Sequence, residues 1–237
     1  KEVVSKIVSK LKEEFYDGIS THKIHNLITG WLAQEKFYFP SRYQLKRAIS
    51  QLGPSGYPFE KFFAGILRNF SYKTLLNQIL KGNCVSHEVD IVVEKEEKRI
   101  LVECKFHNRA GLKTNIKTAL YVWARFLDLK EKHDFDKVWL VTNTKLTSQA
   151  IAYCQCMKIK STSWNYKNEE SLRDLVERSR LYPITILSSL SKNEKQRLLN
   201  QGVVFCHDLQ THFNLVSKNK RERLNQELRF VLEKKDN

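Results

Sequence analysis

Cysteine, proline, glycine and methionine are all scarce in this sequence, and so are acidic residues relative to basic ones. The 237 residues include five Cys, four Pro, eight Gly and one Met. The cysteines (Cys84, Cys104, Cys154, Cys156 and Cys206) form an odd set with no CxxC pair and no His pair at zinc spacing, which argues against a disulfide framework and a structural zinc. They read as reduced, mostly buried thiols. Cys154 and Cys156 are two residues apart and would not share a helical face. No apolar run approaches the roughly 18 residues of a membrane span, and the amphipathic start lacks the apolar centre of a signal peptide, so a cytoplasmic protein without membrane contact is expected. The chain does not begin with Met, and a preceding piece is expected. Internal repeats and low-complexity tracts are absent, and 41% apolar with 28% charged residues is a globular composition.

Acids number 26 against 41 Lys and Arg, a net charge of +15. The excess is spread along the chain, +4 over residues 1–55, +6 over 56–176 and +5 over 177–237. A basic tail is therefore not its source, and a cationic folded surface attracts polyanions by counterion release, with DNA or RNA as the natural partner. Simple solubility is the competing explanation, because net charge speaks to association and not to fold. The Tyr and Phe residues form no clustered ladder for stacking single-stranded bases.

Along the chain, Val4, Ile7, Val8 and Leu11, and then Ile24, Leu27, Ile28, Trp31 and Leu32, recur at helical spacing. Thr21 is the expected N-cap of the second run, and Ser41 of a third bearing Leu45, Ala48, Ile49 and Leu52. The segment LGPSGYP holds half of the prolines and marks a boundary near residues 53–58. PFEKFFAGILRN then reads as a helix with Phe59, Phe62, Phe63, Ile66 and Leu67 on one side and Glu60 as its only acid. Strands are predicted at Tyr72 to Leu80, Glu88 to Val93 and Arg99 to Phe106, followed by a helix from Leu112 to Leu129. KVWLVTN reads as a buried strand, Thr147 as the cap of a helix to Cys156, and KIKSTSW as a last strand. Three consecutive strands suit an antiparallel meander, and the later alternation suits helical crossovers, giving a mixed sheet flanked by helices. From Ser171 the pattern is helical again, broken at Tyr182-Pro183 and ending in a charged helix from Asn219 to Lys235. Trp31, Trp123, Trp139 and Trp164 fall in apolar periodic runs and read as core.

One stretch sets charges inside apolar segments: HEVDIVVEKEEKRILVECKFH, His87 to His107. In a strand RILVECKF, Ile100, Val102, Cys104 and Phe106 face one way, and Leu101, Glu103 and Lys105 the other, with Glu103 and Lys105 about 7 Å apart along the strand. The same alternation sets Asp90 opposite in facing to Val89 and Ile91. A reversal at EKEEKR brings Asp90 beside Glu103. Two carboxylates on one face repel, and burial raises their pKa, unless something positive sits between them. A hard divalent cation such as Mg2+ answers that need, polarises a phosphoryl oxygen and acidifies water, while an adjacent Lys orients the water. Acid-x-Lys spacing also occurs at Glu96/Lys98, Asp128/Lys130 and Glu233/Lys235, so the strand context supplies the signal. A cross-strand salt bridge on a half-exposed sheet is the alternative.

The set Phe59-Glu60, Val89-Asp90 and Glu103-Cys104-Lys105, with the following helix and VWLVTNTKLTSQAIAY, resembles the Mrr-type branch of the restriction-endonuclease-like PD-(D/E)xK nucleases from about Tyr57 to Val176. The resemblance implies a mixed sheet in the order α-β-β-β-α-β-α-β. It also implies Asp90 and Glu103 as ligands of Mg2+ (or Mn2+), Lys105 as the residue assisting the attacking water, and Glu60 as an auxiliary acid. Val89 stands where the motif has Pro. Three units follow: 1–55 helical, 56–176 nuclease-like and 177–237 helical. The first 53 residues resemble the later helices of an ATP-cone, a small nucleotide-sensing domain, but the basic motif of the cone's first strands is not found. ATP is therefore implied only as an effector of a longer protein, with no residue assigned, and a helical packing or dimerisation module is the alternative.

His107, on the Glu103/Lys105 face, and Lys113 and Lys117, four apart on the expected helix, are candidates for DNA contact. PITILSSLSKNEKQRLLNQGVVFCHDL has a shape compatible with helix-hairpin-helix contacts, although Gly202 equally suits a helix C-cap. The expected function is a Mg2+-dependent endodeoxyribonuclease acting on double-stranded DNA, as a homodimer because two strands call for two active sites. The alternative is a non-cleaving nucleic-acid-binding or nucleotide-responsive regulator on the same fold.

Overall fold

The computed structural model describes residues 2–109, 111–166 and 170–233. Four helices open the chain: α1 (Glu2–Glu13), α2 (Thr21–Glu35), α3 (Pro40–Tyr43) and α4 (Leu45–Ser50). Ser20 rather than Thr21 caps α2, its side chain accepting from the Lys23 N–H. Both hydroxyl residues suit the position, and a boundary shifted by one decides between them. Ser41 caps nothing: it is buried inside α3 and donates to Glu227. Leu45, Ala48, Ile49 and Leu52 bury their apolar stripe in the same core as the sheet.

Helix α5 (Tyr57–Asn69) starts with Pro58 in its first turn, where the missing N–H costs nothing. Its Phe59, Phe62, Phe63, Ile66 and Leu67 are fully buried. The strands β1 (Lys73–Lys81), β2 (Ser86–Lys95) and β3 (Lys98–Lys105) then form the expected antiparallel meander. The β2–β3 reversal is a two-residue turn with Glu96 and Glu97 both at positive φ, the geometry that matches strand twist.

After β3 the chain makes β4 (Lys113–Thr114), α6 (Ile116–Leu129), β5 (Lys137–Thr142), β6 (Lys145–Leu146), α7 (Ser148–Cys156) and β7 (Lys160–Thr162). The main sheet runs β1-β2-β3-β5-β7, with β3, β5 and β7 parallel, and β4 pairs with β6 in a separate two-stranded ribbon. This is the mixed, helix-flanked sheet that the sequence predicts. The helix expected from Leu112 starts later because Asn115 caps it, accepting from the Lys117 N–H, while Lys113 is taken up by β4. Lys113 and Lys117 therefore do not share a helical face. Thr147 caps α7 as expected.

Two cores sandwich the sheet. On one face α5 packs against Ile91, Val93, Val102, Trp139 and Val141, with Trp139 edge-on to Phe63 at 5.3 Å. On the other, Ala119, Val122, Phe126 and Leu129 of α6 and Ala150 and Cys154 of α7 meet Val92, Leu101, Val138 and Leu140. Helices α8 (Leu172–Ser179), α9 (Lys192–Asn200) and α10 (Arg221–Leu232) cover the α5 side, where Leu187, Leu190, Leu198 and Leu199 are buried. Gly202 stands at positive φ just past α9, in a C-capping position. Buried Glu227 of α10 ties this region together, accepting from Ser41, from the Ser188 N–H at 2.6 Å and from the Ser189 N–H at 2.9 Å. Lys235, the expected end of the last helix, lies outside the described residues.

Candidate active site

The two faces of β2 do not alternate through Asp90. Val89 belongs to the α6-side core and Ile91 to the α5-side core. The expectation that both face away from Asp90 together is thus corrected. The β2–β3 pairing runs from the hairpin only as far as Ile91↔Val102, and one step of alternation is lost where that ladder ends. Asp90 turns its carboxylate to the neighbouring strand, accepting the Cys104 N–H at 2.7 Å. Asn77 lies across from Asp90 between the pairs Leu76↔Ile91 and Gln78↔Val89, at φ 49°, a conformation Asn tolerates better than most residues.

Glu60 enters from the first turn of α5 and is 9% exposed. It accepts a hydrogen bond from Asn77 Nδ2 at 2.9 Å. Glu103 comes from β3, where it is opposite Leu140 in the register with β5. Its Oε2 accepts from Arg125 of α6, a buried residue that also donates to the Tyr121 hydroxyl at 2.8 Å and lies over the Tyr121 ring. Lys105 ends β3 with an exposed side chain.

These groups share one electrostatic environment. Burial, followed by the charge of Asp90, pushes Glu60 up to about 7, with the Asn77 hydrogen bond acting the other way. Glu103 is also pushed up to about 7, by burial and by Asp90, against the pull of Arg125 and Lys105. Asp90 is raised by burial, while the Cys104 amide, Arg125 and Lys105 oppose the shift. Burial first, and then the same three acids, push the Cys104 thiol well above its ordinary value. Four expected residues, Glu60, Asp90, Glu103 and Lys105, thus act on one another's charge, and acids outnumber bases among them.

The donor set fits a hard divalent cation: three carboxylates, each using one oxygen in the bonds above and leaving the other without a hydrogen bond among the described residues. Asp90 and Glu103 would be the ligands, with Glu60 at the margin. Among the described residues no three acidic, His or Cys side chains form a closed cage, which agrees with Glu103 being held toward Arg125.

His107 lies at the mouth, its Nε2 2.9 Å from the Thr114 hydroxyl and its backbone N–H bonded to Asn143 Oδ1 at 2.8 Å. Burial and Lys105 lower its pKa. These bonds tie the β3–β4 connection to β5 and leave the ring little freedom. Lys113 and Lys117 are exposed near the same end of the sheet. Sequence reasoning missed Arg125, Tyr121 and Asn77. Arg125 carried a legible signal, as a charge one position before Phe126 on the buried stripe Val122, Phe126, Leu129. Asn77 carried none.

Residues 53–163 match a family model described as "Restriction endonuclease", and residues 182–231 match one described as "AF1548-like, C-terminal". An "Uncharacterized protein" of Archaeoglobus fulgidus is 43% identical over 146 residues, 62% of this chain and 82% of that protein. A solved structure described as "Crystal Structure of Protein of Unknown Function AF1548" superposes with a TM-score of 0.64 at 36% identity, over 75% of this chain and 98% of that one.

Proposed function

We propose, from the premise that this chain belongs to the AF1548-like family and carries a restriction-endonuclease domain, that it is a Mg2+-dependent endonuclease hydrolysing phosphodiester bonds of double-stranded DNA. The convergence of Glu60, Asp90, Glu103 and Lys105 at the end of β3 carries this reading. Mg2+, or Mn2+ in its place, supplies Lewis-acid polarisation of a phosphoryl oxygen when bound. Asp90 and Glu103 offer it their uncommitted oxygens. Lys105 stands beside them with a solvent-facing side chain, able to orient a water for in-line attack and offset charge developing on the phosphate. Arg125 holds Glu103 in one rotamer and keeps it from drifting when unliganded. Cleavage of both strands by one site per chain calls for a homodimer. Helices α1 to α4 are proposed, on the ATP-cone resemblance, as a regulatory unit with ATP as its effector.

The test is plasmid DNA incubated with Mg2+ or Mn2+ and with wild type, Asp90→Ala or Lys105→Ala. Cleavage by wild type and its loss in both variants is expected, whereas cleavage persisting in both would place the chemistry elsewhere. A second reading, a DNA-binding protein that does not cut, draws support from the Arg125–Glu103 ion pair, which occupies a ligand oxygen. It predicts salt-sensitive binding without cleavage by any version.

A further inference from the structure

At the C-terminal end of the parallel strands, a cleft of about 740 Å3 opens between α2, α4 and the β4–β6 ribbon. Lys46, Arg47, Lys113 and Lys145 line it, with His22 and His25, and among the described residues no acidic one does. None of the four Lys and Arg side chains has an ion pair among the described residues. Elsewhere on the surface the acids and bases are interleaved, as at Lys6–Glu35, Arg173–Glu177 and Arg178–Glu170. An acid-free cleft is a costly place to gather like charges unless a polyanion neutralises them.

The cleft is joined to the candidate active site through short, rigid links. Asn108, on its wall, follows Lys105 by three residues. Lys113 precedes Thr114, whose hydroxyl donates to Thr142 at 3.1 Å, and Thr142 is the β5 partner of Lys105. The opposite wall is equally fixed. Ile49 and Leu52 are fully buried, Thr185 bonds the Ala48 carbonyl at 2.7 Å, and a Cβ on Gly53 would meet the Phe106 ring at 2.8 Å. Lys46 and Arg47 therefore stand at a set place over the strand ends. His25 is stacked on Tyr43, and burial, then Arg47 and His22, lower its pKa.

We infer that this cleft is a phosphate-backbone grip for duplex DNA, with Lys46 and Arg47 of α4 holding the strand that Lys113 and Lys145 guide toward Lys105. The inference rests on the nucleic-acid part of the function proposed above and extends it: the N-terminal helices are part of the DNA interface. Charge complementarity argues for the backbone, since the cleft offers cations along its length and no acid to bond base donors.

The experiment measures affinity for a labelled 20-base-pair duplex in EDTA across a salt series. It compares wild type, Lys46→Ala/Arg47→Ala and the control Lys98→Ala/Lys130→Ala, which removes the same charge at the opposite end of the sheet. Each lost phosphate contact flattens the salt slope by about 0.9, so the cleft variant should show a slope lower by about 1.8 and binding weaker by about fiftyfold near 0.1 M salt. The control should keep the wild-type slope. Equal losses in both variants would mean diffuse attraction and overturn the grip while leaving DNA binding intact. No binding by wild type would overturn the nucleic-acid reading itself. Loss of a fluorescent ATP analogue by the cleft variant with unchanged duplex affinity would assign the cleft to a free nucleotide and overturn the proposal.

Discussion

Replacing Glu60 by Gln tests whether the carboxylate cluster is assembled at the expense of stability. Glu60 is nine-tenths buried, and its folded pKa of about 7 lies above the ordinary 4.5. An acid whose pKa is raised on folding binds more protons in the native state, so ionising it weakens the fold as pH rises. The penalty is absent below about pH 4.5, grows between 4.5 and 7, and is complete above 7. Its ceiling is about 3 kcal/mol, and access of solvent to the carboxylate reduces it to about 2 kcal/mol. Gln keeps the shape and still accepts from Asn77, so the metal-free variant should be more stable than wild type by about that amount at pH 8. For a chain of this size the gain is about 4–8 °C in Tm. At pH 5 less than about a third of it should remain, by the same linkage. Thermal melts in EDTA at the two pH values provide the assay. A variant no more stable than wild type at pH 8, or a gain equal at both pH values, would refute the claim that burial and Asp90 strain this carboxylate.

Other expected outcomes follow from the same geometry. Arg125→Met leaves Glu103 buried without its partner and should cost about 3–5 kcal/mol in EDTA at pH 8, with part of the loss restored by Mg2+; an equal loss with and without Mg2+ would separate Arg125 from the metal site. Mg2+ affinity measured by calorimetry should rise between pH 6 and 8 as Glu60 and Glu103 lose their protons, and a flat profile would show that neither titrates there. Gly65→Ala puts a Cβ 2.3 Å from Phe205, which is itself packed on Phe62, and should lower stability by about 1–3 kcal/mol in denaturant unfolding; a neutral result would mean that the α5–Phe205 contact has slack.

Much of the fold, and the grouping of the acids in the candidate site, were legible because they depend on local periodicity. The run Phe59, Phe62, Phe63, Ile66, Leu67 declares a helix with one buried side, and the alternation in RILVECKF sets Glu103 and Lys105 on one face whatever surrounds them. Glu60 was legible as the one acid of that helix, and its place in the candidate site came from the family resemblance. The misread details are those decided by contacts distant in sequence. Ser41 serves Glu227, 186 residues away, instead of a helix end. Lys113 joins a strand because Lys145 is there to pair with it. The lost alternation at Asp90 depends on where the β2–β3 ladder ends, and Asn77 reaches Glu60 only through a positive φ in β1.

The sequence by itself determined the main helices and the five strands of the main sheet, the sign of the surface charge and the residue types that can hold a divalent cation, since each follows from spacing or composition along the chain. Only the tertiary structure decided that Arg125 faces Glu103, that burial and mutual repulsion hold Glu60 and Glu103 near pKa 7, and that cations from α4 and the β4–β6 ribbon line one cleft. Those properties are functions of distance and solvent exclusion, which no run of neighbouring residues encodes.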